Sequence, residues 1–234
     1  MGPDALQRAA RAFRYWEHRQ EAVAHNLANA SSPGFKGERV FARLLEGRGL
    51  EVRGETDMSP GPVTETGRPL DLALEGSGFL VVQTPRGDRL VRGGSFRLDS
   101  SRTIVDSHGH PLLGTHGSTQ GPITLPEGDF EITPGGQVLV DKTPVASLRM
   151  VTTVEEGALE REGGLYFRPL GDTVPLDEGA TRILPGRLEE SNVEPVGSMV
   201  EMMEIQRAYS ALQRSVLAMD GVLERISNEL GKVR

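Results

Sequence analysis

The sequence predicts an α+β protein in which N- and C-terminal heptad helices form a coiled-coil stem and the middle of the chain folds as an all-β, barrel- or sandwich-like domain. Three observations carry this reading. Leu6, Ala9, Phe13, Trp16, Gln20, Val23, Leu27 and Ala30 recur at alternating steps of three and four, a heptad seam with one polar member. Met202, Ile205, Tyr209, Leu212, Val216, Met219, Leu223, Ile226 and Leu230 repeat the pattern with no polar member. Between them, short apolar runs separated by Gly, Pro, Asp and Ser clusters read as strands, with no helical pattern interposed.

Taken in order, the first helix is expected over about residues 4–30. Pro3 stands where a missing N–H is tolerated, and Ser31-Ser32-Pro33-Gly34 ends the helix because a residue before proline is pushed out of the α region. Residues 1–36 therefore form the N-terminal helix and its terminating turn. Residues 37–69 are polar and weakly patterned and are expected as an extended connector. The β domain spans 70–187, with strands at Leu70–Leu74, Phe79–Val82, Leu90–Val91, Phe96–Leu98, Ile104–Val105 and Leu112–Leu113, and further ones at 123–125, 129–132, 137–140 and 145–153. Residues 188–234 hold the C-terminal helix, expected from about 193 to 230, with Asn192 as its N-cap, Glu194 favourable against the dipole and Gly231 marking the far end. Each seam is one stripe wide, so the helix pair alone is marginal against its ordering entropy, and neighbouring copies are expected to complete the packing.

Composition removes several function classes. The 234 residues include no cysteine, which excludes disulfides, thiolate metal sites and thiol nucleophiles. With 33 Asp and Glu against 26 Lys and Arg, the net charge of -7 disfavours attraction to nucleic acid or an anionic membrane. No stretch approaches the roughly 18 to 20 apolar residues of a membrane span, so no membrane insertion is expected. Arg8, Arg11, Arg14, Glu17, Arg19 and Glu21 interrupt any apolar run near the start, leaving no cleaved signal peptide in view.

Little here resembles catalytic machinery. His108, His110 and His116 come nearest, since imidazoles at i and i+2 share a strand face and a third would complete a zinc site, but a polar hairpin tip is the plainer reading. Gly76-Ser77-Gly78 lacks the following helix of a phosphate cradle, and no serine-nucleophile elbow or His-Glu-x-x-His helix occurs. An enzyme is not expected, nor is a cofactor. The arginines of the first helix are expected to be solvated or paired with Glu194, Glu201 and Glu204. Asn26-Leu27-Ala28-Asn29 is either a fraying helix end or a source of side-chain hydrogen bonds to a neighbouring backbone.

Asn26-Leu27-Ala28-Asn29 with Ser32-Pro33-Gly34-Phe35-Lys36, Pro69 to Phe79, Gly94 to Asp99, Leu188 to Val193, and Gln206-Arg207-Ala208-Tyr209 together resemble the signatures of the bacterial flagellar rod and hook family, the axial proteins of the basal body. A chain of this length resembles a rod subunit, of the proximal type before the distal. The resemblance implies a structural, self-assembling protein that builds a helical tube, transmits torque and conducts exported subunits. Its partners would be copies of itself, other rod and hook axial proteins and the flagellar type III export apparatus. Its location would be the periplasmic rod of the basal body, reached without a cleaved signal. The assembly interface is expected to comprise Leu6, Phe13, Trp16, Val23, Asn26, Leu27, Asn29, Pro33, Gly34, Phe35, Asn192, Met202, Ile205, Gln206, Tyr209, Leu212, Val216, Met219, Leu223, Ile226 and Leu230. The rival reading is a soluble β-domain binding module, metal-dependent through His108, His110 and His116.

Overall fold

The computed structural model describes residues 3–45, 49–117, 119–154, 159–176 and 179–230. It divides into two compact units, one made of residues 3–28, 38–57 and 194–230, the other of residues 29–37 and 58–193.

In the first unit, helix α1 runs over Pro3–Ala28 and helix α2 over Pro195–Leu230. Arg19 meets Glu201 while Phe13 meets Tyr209, so the two helices run antiparallel. The seam residues Val23 and Ile205 are buried, at 4% and 0% exposure, which is what heptad spacing dictates when each helix turns one stripe toward the other. Strands β1, Glu38–Leu45, and β2, Gly49–Thr56, pair antiparallel from Glu38 opposite Thr56 to Leu45 opposite Gly49. This corrects the expectation for residues 37–69. The segment holds a regular hairpin, and Val63–Glu65 adds a further strand. The register sets Arg39 opposite Glu55, Phe41 opposite Arg53 and Arg43 opposite Glu51 on one face, with Val40, Ala42 and Val52 on the other, so both strands alternate with period two between a charged and an apolar face.

The second unit is β-rich, and its named strand pairs are antiparallel. A three-stranded sheet orders Thr181–Pro185, Asp71–Gly76 and Gly93–Ser95. A six-stranded sheet orders Leu159–Glu162, Tyr166–Pro169, Gly87–Val91, Phe79–Thr84, Met150–Thr153 and Thr173–Pro175. A five-stranded sheet carries Leu113–His116 and Thr143–Leu148 next to one another. Strand Phe79–Thr84 buries both faces: Leu80 and Val82 join a core with Leu72, Ile104, Leu112, Ile123 and Ile183, while Phe79 and Val81 join a second with Leu90, Leu113 and Phe167. That is why its sequence is a continuous apolar run and not an alternation.

Two further expectations change. Residues 123–125 form no strand, although the Ile123 N–H donates to the Leu112 carbonyl and its own carbonyl accepts from Ile104. Arg187–Glu189 is a strand paired with Val63–Glu65, so the stretch from 188 to α2 belongs to the β unit and not to the C-terminal helix.

Candidate assembly surfaces and the buried clasp

The residues singled out in the sequence fall into two sets, one in each unit. In the helical unit, the Phe13 ring lies edge-on to Tyr209 at 5.1 Å, and the Tyr209 hydroxyl donates to Glu17. Trp16 is half-buried, with the Arg19 guanidinium 5.7 Å from its ring. Arg19 Nε donates to Glu201 Oε1 at 2.8 Å. Burial lowers the Arg19 pKa, but this bond and the neighbouring Tyr15 and Glu201 outweigh it, and the net direction is upward. The acid-paired reading of the first-helix arginines thus holds for Arg19, while Arg11 and Arg14 are exposed. Met202, Leu212 and Val216 are half-buried, Met219 is exposed, and Gln206, like Gln20, faces outward. The side chains of Leu6, Leu223, Ile226 and Leu230 lie outside the described ones, as does Gly231.

Asn26 decides its own case. Its carboxamide Nδ2 donates to the Glu38 carbonyl at 2.8 Å, and its Oδ1 accepts from the Glu38 N–H at 2.8 Å. The side chain therefore mimics a strand partner for one residue, satisfying two backbone groups at the start of β1. Leu27 beside it is half-buried.

In the β unit, the segment 29–37 seats against 187–192. The Ser32 N–H donates to the Asn29 carbonyl and the Phe35 N–H to the Ser32 carbonyl, closing consecutive turns around the half-buried Pro33. Gly34 has φ +73° and donates its N–H to the Glu189 carbonyl at 2.6 Å, a conformation that suits glycine. Phe35 is fully buried with the Arg161 guanidinium 4.6 Å from its ring. Beyond it, Lys36 Nζ lies 2.6 Å from Glu189 Oε1, with the two side chains 0% and 2% exposed. The same ammonium donates to the Ser59 carbonyl at 2.7 Å, and Glu189 Oε1 also accepts from the Gly61 N–H at 2.9 Å. Gly61 must be glycine here, since a Cβ would stand 2.1 Å from the Glu190 carbonyl oxygen.

Asn192 closes the clasp and is not the N-cap expected of it. Its Oδ1 accepts from the Gly37 N–H at 2.7 Å and its Nδ2 donates to the Ser59 carbonyl at 3.1 Å. Helix α2 begins later, at Pro195, in the first turn where proline is tolerated. The clasp thus joins three stretches remote in sequence through one buried ion pair. In the sequence Lys36 and Glu189 stand only as members of the end signatures. What marks them is the pairing of a cation with an anion 153 residues away, which no local pattern reveals.

The histidines separate. Tyr166 donates to Asp106 Oδ2 at 2.5 Å, and the Nδ1 atoms of His108 and His110 lie 2.9 and 3.0 Å from the same phenol oxygen. Burial and then the Asp106 carboxylate push the Tyr166 phenol up. The Asp106 Oδ1 accepts from the His108 and His110 N–H groups, and Gly109 at φ +86° completes a turn. His116 instead has Nδ1 3.2 Å from the Val145 carbonyl and Nε2 3.2 Å from the Pro122 carbonyl. Among the described residues, no three His, Cys, Asp or Glu side chains gather as metal ligands, so the three-histidine site of the rival reading does not form.

Two family models and several known proteins match the chain. Residues 184–229 match the family described as flagellar basal body rod FlgEFG protein C-terminal, and residues 73–140 match the flagellar hook protein FlgE/F/G D1 domain. The flagellar basal-body rod protein FlgF of Salmonella typhimurium is 32% identical, covering 87% of this chain and 88% of the relative. The chain belongs to the flagellar basal-body rod protein family. FlgF of Caulobacter vibrioides is 29% identical over 91% of this chain and 92% of the relative, and FlgG of Bacillus subtilis is 26% identical over 92% and 95%. The rod resemblance of the sequence is thereby established, with the FlgF type favoured. The relatives are structural rod proteins and not enzymes, and the location they support is the flagellar basal body. No described helix is long and apolar enough to cross a membrane.

Proposed function

We propose that this rod subunit assembles with copies of itself and with other rod and hook axial proteins into a helical tube, periplasmic in location, that transmits torque and conducts exported subunits. The terminal helices act as a coiled-coil stem that packs against neighbouring stems; of the expected interface residues, Gln206 and Met219 face outward for this, while Val23, Phe35 and Ile205 are buried in their own chain, and the β unit forms a barrel- or sandwich-like body. Delivery by the flagellar export apparatus without a cleaved signal belongs to the same reading.

The observation that carries this is the second face of α2. Val196, Met199, Val200 and Met203 recur at helical spacing and are 67%, 52%, 46% and 48% exposed, although the opposite stripe already covers α1. An apolar stripe repeated on a helix that has spent its first stripe on its own chain supports packing against a further helix. Contacts that join unlike patches and do not close into a ring generate an open helical assembly. The test is electron microscopy of basal bodies from a deletion strain, where a missing or truncated rod is expected. Rods of full length and normal shape would refute the proposal.

A further inference from the structure

The β unit contains a cleft of about 750 Å³. Leu74, Phe79, Leu159 and Leu184 form apolar walls, and Met58 and Val63 line it while remaining 36% and 46% exposed. One wall is cationic. Arg92, 8% exposed, donates through its two terminal nitrogens to the carbonyls of Gly78 and Gly76, which fixes the guanidinium 5.7 Å from the Phe79 ring. The exposed Glu75 adds a negative charge to the lining.

An occupant suited to these walls is aromatic, to meet Phe79 and the Arg92 guanidinium, and is flanked by positive charge, to meet Glu75. The chain itself displays such a group. Phe41 of β1 is 49% exposed, the one phenylalanine among the exposed large apolar side chains of the described residues. Arg43, two positions along on the same strand face, is also exposed, while Arg39 on the other side lies 2.6 Å from Asp57.

We propose that Phe41 of one subunit inserts into this cleft of a second copy, with Arg43 of the hairpin meeting Glu75 of the receiving copy. Because the hairpin and the cleft are unlike patches, the contact is heterologous and propagates instead of closing into a symmetric dimer. The inference rests on the assembly reading above and specifies one of its contacts.

The absence of native cysteine makes a cross-linking test clean. Two differently tagged copies, one carrying Phe41→Cys and the other Ser77→Cys or Thr153→Cys in the cleft lining, are co-expressed in cells lacking the native gene. Purified basal bodies are then treated with a short bis-maleimide. The expected result is a cross-linked dimer carrying both tags, lost when the second copy instead bears Glu127→Cys, an exposed position outside the lining. Where Phe41→Cys prevents incorporation, Arg43→Cys carries the cross-linker and leaves the ring in place. Incorporation of both tagged copies without a dimer at either cleft position overturns the contact and leaves the assembly reading standing. Absence of the chain from basal bodies overturns both.

Discussion

Replacing Glu189 with methionine removes the carboxylate that sits 2.6 Å from a fully buried ammonium and that also accepts from the Gly61 N–H. Methionine has a similar length, so packing is largely conserved and the loss is electrostatic. Breaking a buried pair by deleting one partner costs ~3–5 kcal/mol, because the desolvated charge left behind is not returned to water. The orphaned Gly61 N–H adds ~1 kcal/mol. Against a total stability of ~5–15 kcal/mol the combined ~4–6 kcal/mol is a large share, and it corresponds to a fall in Tm of roughly 8–24 °C for a domain of this size. The double variant with Lys36→Met takes both charges out of the interior. It is expected to be more stable than Glu189→Met alone, since an apolar replacement of a buried pair is often neutral. Urea unfolding followed by far-UV circular dichroism measures all three proteins. A Glu189→Met loss below about 1 kcal/mol, the range of exposed ion pairs, or a double variant weaker than the single, refutes the view that the clasp is held by this pair.

Asn26→Ala leaves two Glu38 backbone groups without their side-chain partner, so the Glu38 amide should exchange faster and stability should fall by ~1–3 kcal/mol; unchanged protection of that amide would show the contact to be dispensable. The Glu162 carboxyl is lowered to about 2 by hydrogen bonds from Arg89 and then Arg86. Its folded value lies below the unfolded value of about 4.3, so its contribution is present above that pH and is lost as pH falls toward about 2. Carbon-13 titration of the Glu162 carboxyl should show the low midpoint, and Arg89→Met should raise it. Finally, Met199→Glu with Val200→Glu sits on the exposed α2 stripe, so the monomer's stability should move by no more than ~0.5 kcal/mol per site while incorporation into basal bodies is lost. Normal incorporation would place the helix–helix contacts elsewhere.

Much of the architecture was legible because it is local. Heptad spacing placed α1 and α2 to within two residues of their observed bounds, Pro3–Ala28 and Pro195–Leu230. Apolar runs punctuated by turn residues located strands such as Phe79–Thr84 and Gln137–Val140. The hairpin of β1 and β2 does carry a period-two contrast, Val40, Ala42 and Val52 against Arg39, Arg43, Glu51 and Arg53, but this short run is set in the polar, Gly-containing composition of residues 37–69, which reads as a connector. Nor was the five-residue strand Thr181–Pro185, whose Ile183 fills the core only because Leu74 lies opposite.

Local pattern was enough for the two helices, the β-rich middle, the lack of thiol chemistry and, through the end signatures, the rod family. Periodicity and composition are properties of neighbouring residues and survive without a fold. What the signature residues do is set by the folded chain. It turned Asn192 from a cap into a bridge between Gly37 and Ser59, gave Asn26 the backbone of Glu38, set Lys36 against Glu189, and parted His116 from His108 and His110. Each of these depends on bringing together groups far apart along the chain, and the free energy of burying a charge or an amide is fixed by the partner it meets there, which no spacing in the sequence encodes.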